Sequence, residues 1–465
     1  MQCCAKFPST LDEIVEIVKV SECVCVKGAG FSSGGHTETS KSAHSVQIDM
    51  SQFNKIVATD VITRQITVEA GITWYDVQHA IDPLGLSIKN MQSYVNFSVG
   101  GSVSVNCHGR YLREGPLVYF IVRLLLVLAN GEIVIADRFV NADLFYAAVG
   151  GYGGIGVIAH VTLQLTANEI LQLRKEEIPV EDYHYYFNAF IKNNKQIVMH
   201  NATLNARNNT LQCISFLRSQ RDRPSSRTKR IRIARGHHFV DRGTAGDGLK
   251  RLQEPPGKAI ETIRRIAYWS LSVPIVGNAV RQYVIDPLVF YNNKTVWRNY
   301  EAGYNVADLE KLHNKEYRLQ EYFIPATPLN YGANQIGYFL YKMQEIHNAR
   351  GIAIVNVSVR HCRQDAETVL RWAETDVYSV VLYYHCSHDG SNQKEGLKSK
   401  DKQSARELID IAVGLGGSFY LPYDLHATAE QFHKAYPNAY LYKQIKNRID
   451  PSGKLSNRLL EKYIF

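Results

Sequence analysis

The 465-residue chain lacks most features that would set it apart from ordinary globular proteins. Cysteine is sparse. There are eight, with Cys3–Cys4 adjacent and Cys23 and Cys25 one residue apart, and no CxxC array. That usage excludes a small disulfide-stapled scaffold, and the thiols are expected to be mostly reduced, in a cytosolic setting. No stretch reaches the roughly 20 uninterrupted apolar residues that span a bilayer. Val118–Ala129 comes closest and carries Arg123. Met1–Gln2–Cys3–Cys4 has neither a basic start nor an apolar run, so no secretory leader is expected. The expected location is cytoplasmic, with peripheral membrane contact left open. His237–His238 and His385–Cys386–Ser387–His388 are too sparse for a ligand set, so no metal is expected. Two nucleotide-binding patterns are also missing: no GxGxxG opens a long helix, and no GK[ST] follows a glycine loop. Apolar content of 45% and charged content of 21% are ordinary. The length accommodates two or three domain-sized units.

What the chain does have is glycine loops that feed strands. Val24–Cys25–Val26 reads as a short apolar strand opening into Lys27–Gly28–Ala29–Gly30–Phe31–Ser32–Ser33–Gly34–Gly35–His36. Successive backbone N–H groups in such a turn form an anion-binding nest. A second loop is Ser98–Val99–Gly100–Gly101–Ser102–Val103–Ser104–Val105–Asn106–Cys107–His108–Gly109. Its glycines let a large anionic ligand approach the main chain, and its hydroxyls add donors. Val99, Val103 and Val105 suit a strand, so a plain turn into a buried strand is the alternative. A third loop, Gly150–Gly151–Tyr152–Gly153–Gly154–Ile155–Gly156–Val157–Ile158, follows Asn141–Val149 and leads into the alternating Ala159–Leu165. Three such loops imply an extended ligand touched by main chain at several points, as a dinucleotide would be.

Three more motifs stand among these loops: Ile48–Asp49 with Phe53 and Ile56, Val68–Glu69–Ala70–Gly71–Ile72–Thr73–Trp74, and Ala129–Asn130–Gly131–Glu132. Six motifs in this order, over residues 8–166, resemble the FAD-binding domain of the FAD-linked oxidases, the vanillyl-alcohol-oxidase-like flavoproteins. Phe432–Pro437, Lys446, Asp450–Pro451 and Asn457 resemble the closing motif of the same family. The resemblance implies an α+β fold. A PCMH-type FAD-binding domain of two subdomains would occupy 1–168, a strand-rich α+β substrate cap 169–426, and a segment returning to the first domain 427–465. It implies FAD held by Lys27, Gly28, Ala29, Gly30, Phe31, Ser32, Ser33 and Gly34. Ser98, Val99, Gly100, Gly101, Ser104, Cys107, His108 and Gly109 would hold it from the second loop, and Gly153, Gly154, Gly156, Val157 and Ile158 from the third. Phe31 stands where many relatives attach the flavin through histidine, so noncovalent FAD is expected. His36, Cys107 and His108 remain as candidates for a link.

The implied activity is oxidation of a CH–OH group of a sugar, polyol or lipid-linked sugar, with hydride passing to flavin N5. The alternatives are reduction of a carbon–carbon double bond, as in sterol-reductase relatives, and a flavin-fold binding protein without turnover. The chain has no HWxK ending of the aldonolactone oxidases. Gly416–Gly417–Ser418–Phe419–Tyr420–Leu421–Pro422–Tyr423 instead resembles decaprenylphosphoryl-ribose oxidases, in which a lysine stands at the Tyr423 position. The candidate catalytic residues are Tyr420, Tyr423, Arg360 and His361. Tyrosine becomes a competent base only where a cation or hydrogen bond stabilises phenolate, which Arg360 or His361 could supply. The structural alternative is two buried tyrosines anchoring the cap and a salt-bridged arginine.

The remaining readings are local. Pro8–Val18 reads as a helix capped by Ser9 or Thr10, and Trp74–Leu84 as a second helix. Leu117–Asn130 and Glu132–Ala136 form a hairpin whose Asn130–Gly131 signals a type I′ turn. Leu217–Gly236 holds eight Arg or Lys in twenty positions against one Asp. It reads as a solvated loop or edge strand, a surface for acidic lipid, or a site for phosphorylated substrate. Nucleic acid is not expected, because no aromatic residues interleave the basic ones. Tyr268–Trp269–Ser270–Leu271 covers a core or dips into a membrane interface.

Overall fold

The computed structural model describes residues 4–39, 44–219, 295–302, 317–327, 334–385 and 394–465. The basic stretch beyond Ser219, His237–His238, Tyr268–Trp269–Ser270–Leu271 and Cys386–Ser387–His388 lie outside the described residues. Three sheets organise the rest.

The first is parallel, in the order β1 (Cys4–Lys6), β3 (Val46–Asp49), β2 (Val24–Lys27). Helix α1 (Leu11–Val20) joins β1 to β2 and buries Ile14 and Val18. Thr10 is its cap: its hydroxyl accepts from Glu13 N while the Glu13 carboxylate reaches back to the Thr10 amide.

The second sheet is antiparallel, in the order β4 (Ile56–Asp60), β5 (Gln65–Glu69), β9 (Val157–Ala167), β7 (Ile121–Val127), β8 (Ile133–Ala136), with β6 (Leu86–Ile88) on the end of β9. Along β9, buried and half-buried residues alternate, as a strand with one covered face requires. Helices α2 (Trp74–Ile81), α3 (Val99–Ser104) and α4 (Ala142–Ala148) pack around this sheet. Two expectations are corrected. Val99 and Val103 lie in the short α3 and Val105 caps its end, so none of the three is in a strand, because the Ser98 hydroxyl caps the turn at Gly101 N and Gly100 fits against Ala70. The β7–β8 hairpin is not type I′, since only Gly131 has positive φ (+82°). Leu128 N bonds to Glu132 O and Gly131 N to Leu128 O, a turn closed by one left-handed glycine. Leu117–Phe120 is a 3-10 turn, so β7 starts at Ile121.

The chain passes from β9, ending at Ala167, to β10, starting at Ile170. The third sheet has eight strands: β13 (Thr295–Trp297), β10 (Ile170–Pro179), β12 (Thr210–Arg218), β11 (Ile197–Asn205), β15 (Ala353–Cys362), β16 (Val377–His385), β14 (Tyr317–Pro325), β17 (Ser418–Phe419), in that order. One face lies under α5 (Tyr183–Tyr186), which runs on as a π turn over Phe187–Ile191, and α7 (Gln335–Arg350). Helix α6 (Arg298–Ala302) joins this sheet to the first domain, with Arg298 donating to Lys89 O and Asn299 to Leu86 O. The other face meets the loop that follows α3.

After α8 (Lys394–Gly414) and β17, three helices close the chain: α9 (Ala429–Ala435), α10 (Ala439–Ile449) and α11 (Arg458–Tyr463). Leu455 forms a parallel bridge with Val24. The third glycine loop is held by this segment. Tyr442 Oη donates to Gly151 O (2.6 Å), Lys446 Nζ to Gly154 O (2.8 Å), and Asn457 Nδ2 to Tyr152 O (2.7 Å). Lys446 also pairs with Asp450 at 2.7 Å, both side chains fully buried.

Candidate functional site

The first two glycine loops lie against each other. Ser98 Oγ accepts from Ala29 N (3.1 Å) and Gly101 N (3.4 Å). A Cβ on Gly28 would collide with that oxygen, so the contact needs glycine. Gly30 has φ +80°, a conformation side chains resist. Among the described residues, no acceptor meets the amides of Gly30, Phe31 and Ser32. Adjacent N–H groups without acceptors, beside a serine hydroxyl, match the chemistry of a pyrophosphate, so these residues fit FAD. Lys27 pairs with Asp49 at 2.9 Å at the base of the loop. The far end of the loop reaches the opposite part of the chain: Ser33 N bonds to Pro422 O, Gly34 abuts Tyr423 O, and His36 Nε2 meets Leu421 O at 2.8 Å.

The third loop behaves differently. Gly153 (φ +77°) opens to free space, whereas a Cβ on Gly154 would strike Tyr442 Oη. Gly156 packs on Val127 O, and Val157 and Ile158 are buried in β9. Of these five, only Gly153 faces outward. In the second loop, Val99 N and Gly100 N bond to Ile72 O and Ala70 O, Ser104 O accepts from Tyr152 N, and Gly109 nests against Met91 O.

Past α3 the backbone is forced into place. Asn106 has φ +46°, unusual for a side-chain-bearing residue, and is fully buried. Its Nδ2 donates to Asp365 (2.8 Å), its Oδ1 accepts from Val118 N (2.9 Å), and its carbonyl accepts from Trp372 Nε1 (3.0 Å). Such over-determination holds a strained residue, and it aims the next two, Cys107 and His108. His108 enters a ring of aromatics: Trp372, Phe323 and Tyr420 lie with centroids 5.1–6.0 Å from its own.

His108 Nε2 is 2.5 Å from Glu321 Oε1, and its Nδ1 is 3.2 Å from Cys362 Sγ. Both side chains of the His108–Glu321 pair are 3% exposed. The same Glu321 oxygen accepts from Ser379 Oγ (2.6 Å), and the other accepts from Tyr423 Oη (3.1 Å). The register explains the convergence. Arg360 on β15 pairs with Ser379 on β16, Phe323 on β14 also pairs with Ser379, and Glu321 follows two residues away on the same face. Asn201 on β11 lies on that face as well, accepting from Arg360 Nε at 3.4 Å. Tyr423 and Arg360 lie well inside the molecule, yet each keeps part of its surface accessible, so both line a cleft.

Burial alone would raise the Glu321 carboxyl, but His108, then Ser379 and Arg360, outweigh it and hold it below the usual range. Burial opposes protonation of His108, but Cys362 and Glu321 prevail and raise it. Burial, then the Glu321 charge, pushes the Tyr423 hydroxyl well above its usual value. The group is therefore a carboxylate accepting from three donors, with a neutral phenol between it and the cleft.

The structure brings together three of the four candidate catalytic residues. Tyr423 and Arg360 border the Glu321 cluster. Tyr420 is beside it, but its Oη donates to Val105 O at 2.8 Å, which ties it to the main chain. His361 is not brought in. It follows Arg360 on β15 and so projects from the opposite face, stacked on Phe187 (4.8 Å) under the π turn. Burial keeps it neutral, its pKa lowered to about 4. Of the candidates for a covalent link, Cys107 is buried with its thiol pushed far up by burial, and His108 has both ring nitrogens engaged. Glu321, Ser379, Cys362 and Trp372 were not singled out in the sequence. The signal for Glu321 was a lone carboxylate opening the apolar run Tyr322–Phe323–Ile324. Among the described residues Asp401, Asp424 and His426 cluster, but Arg318 already lies 3.3 Å from Asp424.

Residues 4–137 match the FAD binding domain family. The chain is 31% identical to bovine (Bos taurus) L-gulonolactone oxidase, over 37% of this chain and 39% of that protein. A putative D-arabinono-1,4-lactone oxidase of Neurospora crassa is 30% identical over 34% of this chain and 28% of its own. The mitochondrial L-galactono-1,4-lactone dehydrogenase of Arabidopsis thaliana is 26% identical over 42% of this chain and 31% of its own. The chain spans between 28% and 39% of the length of these curated relatives. Residues 4–137 thus form an FAD binding domain, the cofactor is FAD, and the FAD-linked oxidase resemblance read from the motifs holds over these residues.

Proposed function

We propose that this chain is an FAD-dependent oxidoreductase that oxidises a CH–OH group of a sugar or polyol. Bound FAD would supply the hydride acceptor. Its phosphates would be held by the amides of Gly30, Phe31 and Ser32 and by the Ser98 hydroxyl. The observation that carries the reading is the Tyr423–Glu321 pair, a phenol that lines the cleft and donates to an ionised carboxylate behind it.

A substrate hydroxyl in that cleft would donate to Tyr423 Oη. As its proton leaves, Tyr423 passes its own proton to Glu321 Oε2. No free phenolate forms, which suits a tyrosine whose hydroxyl is pushed up. Arg360 would orient a second substrate oxygen, with Asn201 fixing its guanidinium. Trp372, Phe323 and Tyr420 keep water from the buried side of the carboxylate. The lactone substrates in the relatives' names are not carried over, because the alignments take in well under half of this chain.

The test is anaerobic mixing of the FAD-loaded protein with a panel of sugars, polyols, aldonolactones and a polyprenyl-phosphate sugar, following absorbance near 450 nm. Bleaching by a hydroxyl substrate, lost in Tyr423→Phe at unchanged FAD content, is the expected result. Bleaching by NAD(P)H with an enone as oxidant would instead favour double-bond reduction. No bleaching by any of these would leave a flavin-fold binding protein.

A further inference from the structure

We infer that Cys362 is a positioning residue that fixes the tautomer of His108 and so keeps Glu321 ionised. The inference rests on the proposed role of Glu321 as proton acceptor. Its basis is a line of three groups: Cys362 Sγ, 3.2 Å from His108 Nδ1, and His108 Nε2, 2.5 Å from Glu321 Oε1. One proton lies between sulfur and Nδ1. If sulfur holds it, S–H donates to the Nδ1 lone pair and the ring proton must sit on Nε2. If sulfur has given it to Nδ1, sulfur is a thiolate, the ring is an imidazolium and Nε2 is again protonated. A neutral ring with Nδ1–H donating to the thiol would use sulfur only as a weak acceptor and turn the Nε2 lone pair on Glu321 at 2.5 Å, the least favourable of the three. In the two favoured arrangements Nε2–H donates to Glu321, and the carboxylate stays charged.

Without the sulfur this constraint is gone. The aromatic wall of Trp372, Phe323 and Tyr420 offers His108 Nδ1 no polar partner. Among the described residues, the remaining group near Nδ1 is the carbonyl of Gly109, at 3.4 Å. An Nδ1–H tautomer donating there would turn the Nε2 lone pair toward Glu321, and two acceptors 2.5 Å apart must share a proton. Glu321 would then take one up and could not accept another from Tyr423. The sulfur also comes from the strand that carries Arg360, two residues earlier on the same face. One β-strand thus sets both the substrate-binding cation and the charge of the proton acceptor.

The experiment uses full-length FAD-loaded protein. In Cys362→Ala the acid limb of kcat/KM should move up by about one pH unit. Cys362→Ser, whose hydroxyl can meet Nδ1, should return it most of the way. A purely structural cysteine would lower stability in the alanine variant without moving the limb, and an unmoved limb overturns the inference. The tautomer is read separately, by NMR of 15N-histidine protein with His108 assigned from His108→Gln. Nε2–H in wild type and Nδ1–H in Cys362→Ala are expected. The same tautomer in both overturns the inference without reference to turnover. If instead Glu321→Gln retains full activity while the tautomer switches, the inference about Cys362 and His108 stands and the role of Glu321 falls.

Discussion

Tyr423 presents one oxygen to the cleft and one proton to Glu321, so removing that oxygen separates packing from proton transfer. Tyr423→Phe keeps the ring contact with Tyr420. It should lower turnover about 10²- to 10⁴-fold, the usual worth of a positioned proton acceptor. KM and FAD content should change little, and steady-state kinetics with the flavin absorbance check both. Glu321→Gln should cost a similar factor. It also leaves His108 Nε2–H facing a neutral amide in a buried site, so the melting temperature should drop as well. Tyr420→Phe removes the bond to Val105 O and touches no proton path. It should reduce stability modestly and leave the pH profile in place. Two tyrosines three residues apart are thus expected to fail in different ways.

Between elements, the tightest fits are the ones to test. Gly28→Val would drive its side chain into Ser98 Oγ and part the first two glycine loops. FAD affinity should weaken at least about tenfold, measured by titrating FAD into protein freed of it. Gly153 has open space around it, so Gly153→Ala should act only through its positive φ, at a cost of about 1 kcal/mol. At the other end of the chain, Lys446→Met leaves Asp450 buried with its cation gone and Gly154 O without its donor. Breaking a buried pair from one side costs about 3–5 kcal/mol, and a thermal melt should report it. A loss of FAD affinity in the same variant would show that α10 braces the glycine loop as well as the fold.

The whole molecule carries a set of histidines held neutral. Burial lowers His36 and His347 to about 4 and His200 to about 3, against 6.5 in the unfolded chain. Their folded pKa values are depressed, so the unfolded state binds more protons between these limits. Stability is therefore lost as pH falls from 6.5 toward 4, because each tenfold weakening of a ring's proton affinity on folding costs about 1.4 kcal/mol once the unfolded chain is protonated. His108 has the opposite sign: its raised pKa gives stability that is full below 6.5 and fades as pH rises above it. The melting temperature should peak near neutrality and fall by several degrees by about pH 5, before most carboxylates protonate. A profile flat from about pH 7 to 5 would contradict the burial of these rings.

Local chemistry in the sequence determined the glycine loops, the strands at Val24–Val26 and Ala159–Leu165 and the capped first helix, because a turn, an alternation or a cap is written in neighbouring residues. The α+β class and the FAD binding domain follow from those motifs and their order. Where local preference met a tertiary contact, the contact won: Val99 and Val103 entered α3 because Ser98 caps it and Ala70 receives Gly100. The two sides of a strand were also legible in principle, since alternation alone sends Arg360 and His361 to opposite faces. Which face meets the glycine loops was not, because that depends on strand order. The order β11-β15-β16-β14 places Asn201, Arg360 and Ser379 in one row, with Glu321 two residues along on the same face, although their numbers run from 201 to 379. Glu321 acquires a role only when His108, 213 residues earlier, is brought to 2.5 Å. The charge states follow the same logic. A histidine becomes neutral or cationic according to what burial removes and which partner it meets, and both are set by the packed structure alone.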